Sequence, residues 1–246
     1  MYENFASVYD NLMEDASYSE RADYIISLFK QYDIKPTLLL DLCCGTGSFS
    51  NLFASEDISV IGVDISEDML SVAREKSVES GNDILYLCQN AAELDLYGTV
   101  DGAVCLMDSL NHITDYNDFC KAISRVSLFL EKDRLFIFDV NTLYKAETTL
   151  GNNTFVSEDE DVFLSWQNEY DSENRINNIY LDFFVHDGDD RYIRTSENIT
   201  EKAYTEPEIE KAIKDAGLSV VAVLDDMKKT PPTESSQRVF YVTRKL

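Results

Sequence analysis

The sequence predicts an α/β protein, a doubly wound parallel sheet with an antiparallel β-insertion between its fifth strand and its last helix. Two observations carry this. From the N-terminal region to Asp139, short apolar runs alternate with amphipathic stretches of helical spacing, as a parallel sheet with right-handed crossovers requires. From Phe155 to Tyr204 the spacing changes to a two-residue alternation rich in Tyr, Phe, Val, Ile, Asn and Thr.

The elements follow in order. Ala22, Ile25, Ile26, Leu28, Phe29 and Tyr32 recur at helical spacing between Ser19 and Tyr32. Leu38-Leu39-Leu40-Asp41-Leu42, bounded by Pro36 and Gly45, reads as a buried strand, and Val60-Ile61-Gly62-Val63 as a second. Ser66 is a good N-cap, Glu67 and Asp68 complement the first-turn dipole, and Gly81 suits the stop, so 66–80 reads as a helix. Ile84–Leu87, Ala103–Leu106 and Leu135–Phe138 are further strands, with a helix from Tyr116 to Leu130 between the last two. Within the insertion, the turn chemistry of Asp171-Ser172-Glu173-Asn174 and Asp187-Gly188-Asp189 divides three antiparallel strands. Thr205-Glu206-Pro207-Glu208 is a capping box with Pro in the first turn, and the helix it opens runs to Ala216. Val220–Leu224 and Arg238–Val242 are the last strands.

Charge is the compositional outlier. The 246 residues carry 46 Asp+Glu against 21 Lys+Arg, a net charge of −25. Such a chain repels nucleic acid and anionic lipid at long range, so a nucleic-acid partner is disfavoured. No window approaches the ~20 consecutive apolar residues of a membrane-crossing helix, and Met1–Phe5 lacks the basic and apolar regions of a signal peptide. The cysteines (Cys43, Cys44, Cys88, Cys105 and Cys120) include no C-x-x-C pair, and Cys43, Cys88 and Cys105 lie in or beside apolar runs, as reduced core residues do. A cytoplasmic location is expected.

The strongest chemical signal is Asp41-Leu42-Cys43-Cys44-Gly45-Thr46-Gly47, a strand leading into a glycine turn that opens a helix. Gly45 and Gly47 let the backbone turn tightly and approach a ligand at the carboxyl end of the strand. Asp64 ends the next strand, where a carboxylate can accept both hydroxyls of an adenosine ribose. Ser50 stands where a dinucleotide-binding turn has its third glycine, and the Lys-Ser/Thr of a phosphate loop is missing. An adenosyl ligand without phosphates fits what remains.

With these motifs the sequence resembles the class I S-adenosylmethionine-dependent methyltransferases. The matching segments are LLLDLCCGTGSFS, VIGVDISEDMLSVAREK, QNAAELDL, VDGAVCLMDSLNHI and RLFIFDV, in the expected order between residues 38 and 140. Two positions depart from the usual pattern: Cys43-Cys44 replaces a Gly-Cys or Ala-Cys, and Asn90 replaces an Asp. Within the class the chain is most similar to bacterial small-molecule enzymes akin to the nucleotide-sugar N-methyltransferases. Like them it has a Tyr-Asp motif (Tyr9-Asp10), the run Asp108-Ser109-Leu110-Asn111-His112 after strand four, and the β-insertion. The resemblance implies a seven-stranded Rossmann-like methyltransferase sheet. Residues 1–145 and 205–246 would form the S-adenosylmethionine-binding domain, and 146–204 the insertion over the substrate site.

Residue roles follow from the resemblance together with chemistry. Asp41 and the backbone of Cys43, Gly45, Thr46 and Gly47 would face the methionine part of the cofactor. Asp64 would hold the ribose, with Ile65 and Met69 against the adenine and Asn90, Ala91 and Ala92 at its edge. Leu106 and Met107 would lie under the methionine group, and Tyr9 would close the pocket and could assist catalysis. His112, at the rim where an acceptor approaches, is the candidate base, with a helix-start role as the alternative. No metal is expected, since His112 and His186 have no partners at zinc-site spacing. Asp108, Trp166 and Arg194 are candidate substrate contacts. Tyr170, Tyr180, Phe184 and Tyr192 could also line the site, or could pack the insertion against the main domain or a second subunit. Arg175 and Arg191 could likewise meet an anion or only balance surface charge.

The expected activity is methyl transfer to N or O of a small-molecule acceptor, with a homodimer as the assembly considered. Two alternatives stand beside it: a methyltransferase acting on RNA or protein, and a cofactor-binding regulatory protein without a substrate site.

Overall fold

The computed structural model describes residues 17–158, 162–188 and 191–246. Helix α1 (Tyr18–Gln31) buries Ala22, Ile25, Leu28 and Phe29 on one face. It leads into β1 (Leu38–Leu42), α2 (Ser48–Ala54), β2 (Ser59–Asp64), α3 (Glu67–Ser80) and β3 (Leu85–Cys88). The predicted caps of α3 form: Ser66 Oγ accepts from the Met69 amide, and Gly81 ends the helix at φ 70°. After β4 (Gly102–Cys105) and α4 (Tyr116–Phe129) comes β5 (Leu135–Asn141). Every residue of β4 and β5 is buried, as in strands covered by helices on both faces.

Past the second sheet, α5 (Glu206–Asp215) starts at the predicted capping box of Thr205 and Glu208, and β10 (Leu218–Asp225) and β11 (Arg238–Lys245) close the main sheet. Its order is β10-β11-β5-β4-β1-β2-β3, parallel from β5 to β3, with β11 antiparallel to both neighbours. Two apolar cores flank the sheet. One gathers Leu40, Phe119, Phe138 and Ile213, the other Ile25, Phe53, Ile137 and Phe240.

The insertion is the doubly wound domain's second sheet, with four strands rather than the three predicted: β6 (Thr154–Glu158), β7 (Val162–Asp171), β8 (Ile176–His186) and β9 (Tyr192–Lys202), antiparallel in that order. The additional strand, β6, is an exposed edge: all five residues, Phe155 and Val156 included, face solvent. A π-helical segment, Lys145–Leu150, precedes it and was also not predicted.

Register decides which side chains of this sheet meet the main domain. Leu164 pairs with Phe183, which pairs with Thr195, so even positions of β7 share a face with odd positions of β8 and β9. That inner face carries Leu164, Trp166, Leu181, Phe183 and Ile199, which pack with Met69 of α3. At its other end Asn111 Nδ2 donates to the Lys202 carbonyl at 2.8 Å. The second sheet is therefore fastened both at α3 and beyond β4.

Gly62 of β2 exemplifies how tightly the cofactor end is packed. A Cβ there would lie 2.6 Å from two ring carbons of Tyr86 and 3.1 Å from Cys44 Sγ. Gly62→Ala is expected to destabilise the protein by about 1–3 kcal/mol in urea unfolding, the usual cost of overpacking. An unchanged unfolding midpoint would show that Tyr86 yields freely.

Candidate active site

The turn after β1 is shaped by backbone that L-residues rarely adopt. Cys43, Gly45 and Gly47 all have positive φ, at 58°, 54° and 71°. The Cys44 amide donates to the Val63 carbonyl and the Gly47 amide to the Cys44 carbonyl, both at 3.0 Å. The two glycines serve different ends. Nothing lies within 4 Å of where a Gly45 Cβ would sit, so its backbone is open to a ligand. A Cβ on Gly47 would instead run into the Tyr86 hydroxyl and come 2.8 Å from Ala73 Cβ, so that glycine lets α3 and β3 pack. Thr46 is buried, and its hydroxyl accepts from Lys76 at 3.0 Å.

Asp64 joins this turn to the next. Its Oδ2 accepts from the Gly45 amide at 2.8 Å and its Oδ1 from the Ser66 amide at 2.9 Å. Each oxygen keeps a lone pair for a ribose hydroxyl. Beside it Ile65 is 68% exposed, an apolar side chain held in solvent, and Met69 is half-buried. The Gln89 amide donates to the Asp64 carbonyl, which brings the end of β3 alongside. There Asn90 Oδ1 accepts from the Ala92 amide at 2.9 Å and starts a short turn that buries Ala91 and Ala92. On the other side of the glycine turn, a cavity is lined by Tyr18, Asp41, Cys43, Phe49, Leu106 and Met107 among others. Asp41 is buried and accepts from Ser50 Oγ at 2.6 Å. Burial, with Asp64 nearby, pushes its carboxyl up to about 7.

Beyond β4 the chain makes a second unusual turn. Met107 and Asp108 lie at φ 57° and 52°. Their amides donate to the two oxygens of Asp139, at 2.8 and 2.9 Å. Arg238 of β11 pairs with both Asp139 and Asp108. Asn141 Nδ2 donates to Asp108 at 2.5 Å, and Lys145 Nζ donates to Asn141 Oδ1 at 2.9 Å. Against the cost of burial, Arg238 and Lys145 hold the Asp108 carboxyl at about 2. Burial pushes Lys145 down and Glu201 up. His112 ends the turn, exposed at the rim, with Nε2 3.9 Å from Glu201 Oε1 of β9.

Several sequence expectations change in this light. Asp108 has one oxygen paired with Arg238 and the other accepting from Asn141, so its carboxylate is built into the turn. Arg194 lies on the outer face of the second sheet, exposed and paired with Asp182, away from Trp166. Tyr180, Phe184 and Tyr192 share that outer face, and Arg175 is taken by Glu208 of α5. Trp166 stays on the inner face, bonded to Asn168 Oδ1 at 3.0 Å. His186 is exposed, edge-on to Tyr192. Cys88 is exposed at the end of β3 and is no core residue. Tyr9 lies outside the described residues. Asp139, Asn141, Lys145, Glu201 and Arg238 were not anticipated, although a charged residue inside the apolar run Leu135–Phe138-Asp139-Val140 was a visible anomaly.

Residues 39–128 match the family model for a methyltransferase domain. Over 247 aligned residues, 100% of this chain and 97% of the other, the chain is 32% identical to YqeM of Bacillus subtilis strain 168, a methyltransferase by name. The crystal structure of an S-adenosylmethionine-dependent methyltransferase from Clostridium acetobutylicum is similar at a TM-score of 0.91. It is 33% identical and covers 99% of this chain and 98% of its own. The chain belongs to the class I S-adenosylmethionine-dependent methyltransferases. The sugar N-methyltransferase KedS8 from Streptoalloteichus shares this methyltransferase fold at a TM-score of 0.77 and 16% identity, covering 97% of this chain and 93% of that one.

S-adenosylmethionine is the cofactor of this methyltransferase, and the site fits it: the open backbone of Gly45, a carboxylate at the end of β2 and an apolar side chain held out beside it. We propose that Asp41 faces the methionine part and Asp64 the ribose, with Ile65, Met69, Asn90, Ala91 and Ala92 around the adenine. The ligand's positive charges then favour Asp41 as a carboxylate. Cofactor affinity is expected to be level above pH 8 and to fall toward about tenfold per pH unit below 7. An acid raised above its unfolded value of 3.8 binds more protons folded than unfolded, so this group costs stability increasingly from pH 4 to 7. Asp41→Asn should therefore raise the melting temperature at pH 8 while weakening cofactor and flattening its pH dependence. Calorimetry in which the wild type shows no pH dependence would contradict the assignment.

Proposed function

We propose that this methyltransferase acts on a nitrogen or oxygen of a small-molecule acceptor bound between His112 and the inner face of the second sheet. The observation that carries this reading is the double attachment of that sheet, at Met69 on the adenosine side and at Asn111 and Glu201 on the acceptor side. A roof fixed at both ends suits a compact acceptor better than a polymer threaded across the site. The net charge of −25 further disfavours RNA. KedS8, a sugar N-methyltransferase by name, is matched along nearly the whole chain, the second sheet included, which supports an acceptor of that size.

When bound, S-adenosylmethionine supplies a methyl group already activated on a sulfonium. The chain's own work is alignment and proton removal. Residues 146–204, taken as the insertion, exclude water and set acceptor shape; Trp166 and Ile199 offer it apolar surface. His112 accepts the proton that a nucleophilic N–H or O–H must lose. Five free cysteines suit a reducing compartment such as the cytoplasm.

The test is incubation with methyl-labelled cofactor and bacterial extract, fractionated by size. Label is expected in a low-mass product. Label confined to protein or RNA would favour a polymer acceptor, and tight cofactor binding without any transfer would favour a regulatory protein.

A further inference from the structure

Glu201 lies on the inner face of β9 and reaches the main domain's rim at His112, and no part of the proposed cofactor site uses it. Its side chain is only 11% exposed. Oε2 accepts from Asn141 Nδ2 at 3.3 Å, and Oε1 faces His112 Nε2 at 3.9 Å. The groups around it are Asp108 and His112 from the turn after β4, Lys145 from the π-helical segment, and Arg238 behind Asp108. Lys202, next along β9, alternates to the outer face.

We infer that Glu201 is the positioning residue of His112, so that the second sheet takes part in methyl transfer as well as covering it. A carboxylate opposite Nε2 favours the tautomer with the proton there and leaves Nδ1 as the basic nitrogen. The acceptor forms its bond to the methyl carbon as the carbon–sulfur bond breaks. Its own proton passes to Nδ1, and the sulfonium is left a neutral thioether. The imidazolium so formed carries its charge beside Glu201 until it releases the proton to solvent. Burial and the Asp108 carboxylate push the Glu201 carboxyl up, and a new cation at 3.9 Å would add to Lys145 and Asn141 in opposing them. This inference rests on the reading of His112 as the base.

The donor atoms of Asp108, His112 and Glu201 also lie within 4.8 Å of one another, a spacing compatible with a metal. The ion-pair reading is favoured because Arg238 and Asn141 already occupy Asp108, with Lys145 alongside.

Glu201→Gln keeps an acceptor oxygen without charge, and Glu201→Leu keeps neither. Nitrogen NMR of the His112 ring at pH 8, with His186 as the internal reference, reads the tautomer in the free protein. The wild type is expected to be mainly Nε2-protonated, the Leu variant a mixture, and His186 unchanged. In the labelled-extract assay, turnover should fall by about tenfold in the Gln variant and about a hundredfold in the Leu variant, with cofactor affinity within about twofold. Wild-type tautomer and turnover in the Leu variant would overturn the inference. So would stoichiometric binding of added Zn2+ that Glu201→Leu abolishes. His112→Ala separates the two readings: full turnover there removes the base, while the NMR result still judges the pairing on its own.

Discussion

Arg238 reaches from β11 across the end of β5 and pairs with two carboxylates, Asp139 and Asp108. The rest of the site depends on that contact. Asp139 stands in a strand with every residue buried, where an unpaired carboxylate would be very costly. Its two oxygens are spent on the amides of Met107 and Asp108, which holds both residues in left-handed backbone. One arm of the turn so formed puts Leu106 and Met107 into the cavity beside the glycine turn, and the other carries His112 to the rim. In the site proposed above, the same ion pair sets the floor for both reactants. Asn111 and Asn141 extend it outward, to the backbone of β9 and to Glu201.

Much of the main domain was legible in the sequence because its signals are local. Leu38–Leu42, the Ser66 and Gly81 caps of α3, and the capping box at Thr205 each depend on neighbours a few residues away. The glycine turn and Asp64 were readable for the same reason. The second sheet was harder. Its alternation was visible, but β6 is short and exposed along its length, so only pairing with β7 makes it a strand. The side-chain network around Asp139 was not legible, since Arg238 meets it from 99 positions away. Arg194 failed for a related reason: a strand's alternation tells that two faces exist, and only the register with β8 tells which one turns outward.

The division of labour between the two sheets follows from these attachments. The parallel strands end in backbone and carboxylates suited to S-adenosylmethionine, and the family model spans only this region, residues 39–128. The antiparallel sheet brings apolar surface and the buried acid Glu201 to the side proposed for the acceptor. Such an arrangement allows the acceptor to change through the second sheet while the cofactor half stays fixed. The sheet's outer face, with Tyr180, Tyr192 and the Arg194–Asp182 pair, is turned to solvent.

The most direct test of this account is the calorimetric affinity of an Arg238→Lys variant for S-adenosylmethionine. Lysine keeps the charge but cannot fork to both carboxylates. If the clamp holds the turn under the cofactor, binding should weaken by about tenfold or more while circular dichroism reports an intact fold. Wild-type affinity in a folded Arg238→Lys protein would mean that the turn after β4 keeps its shape without the clamp.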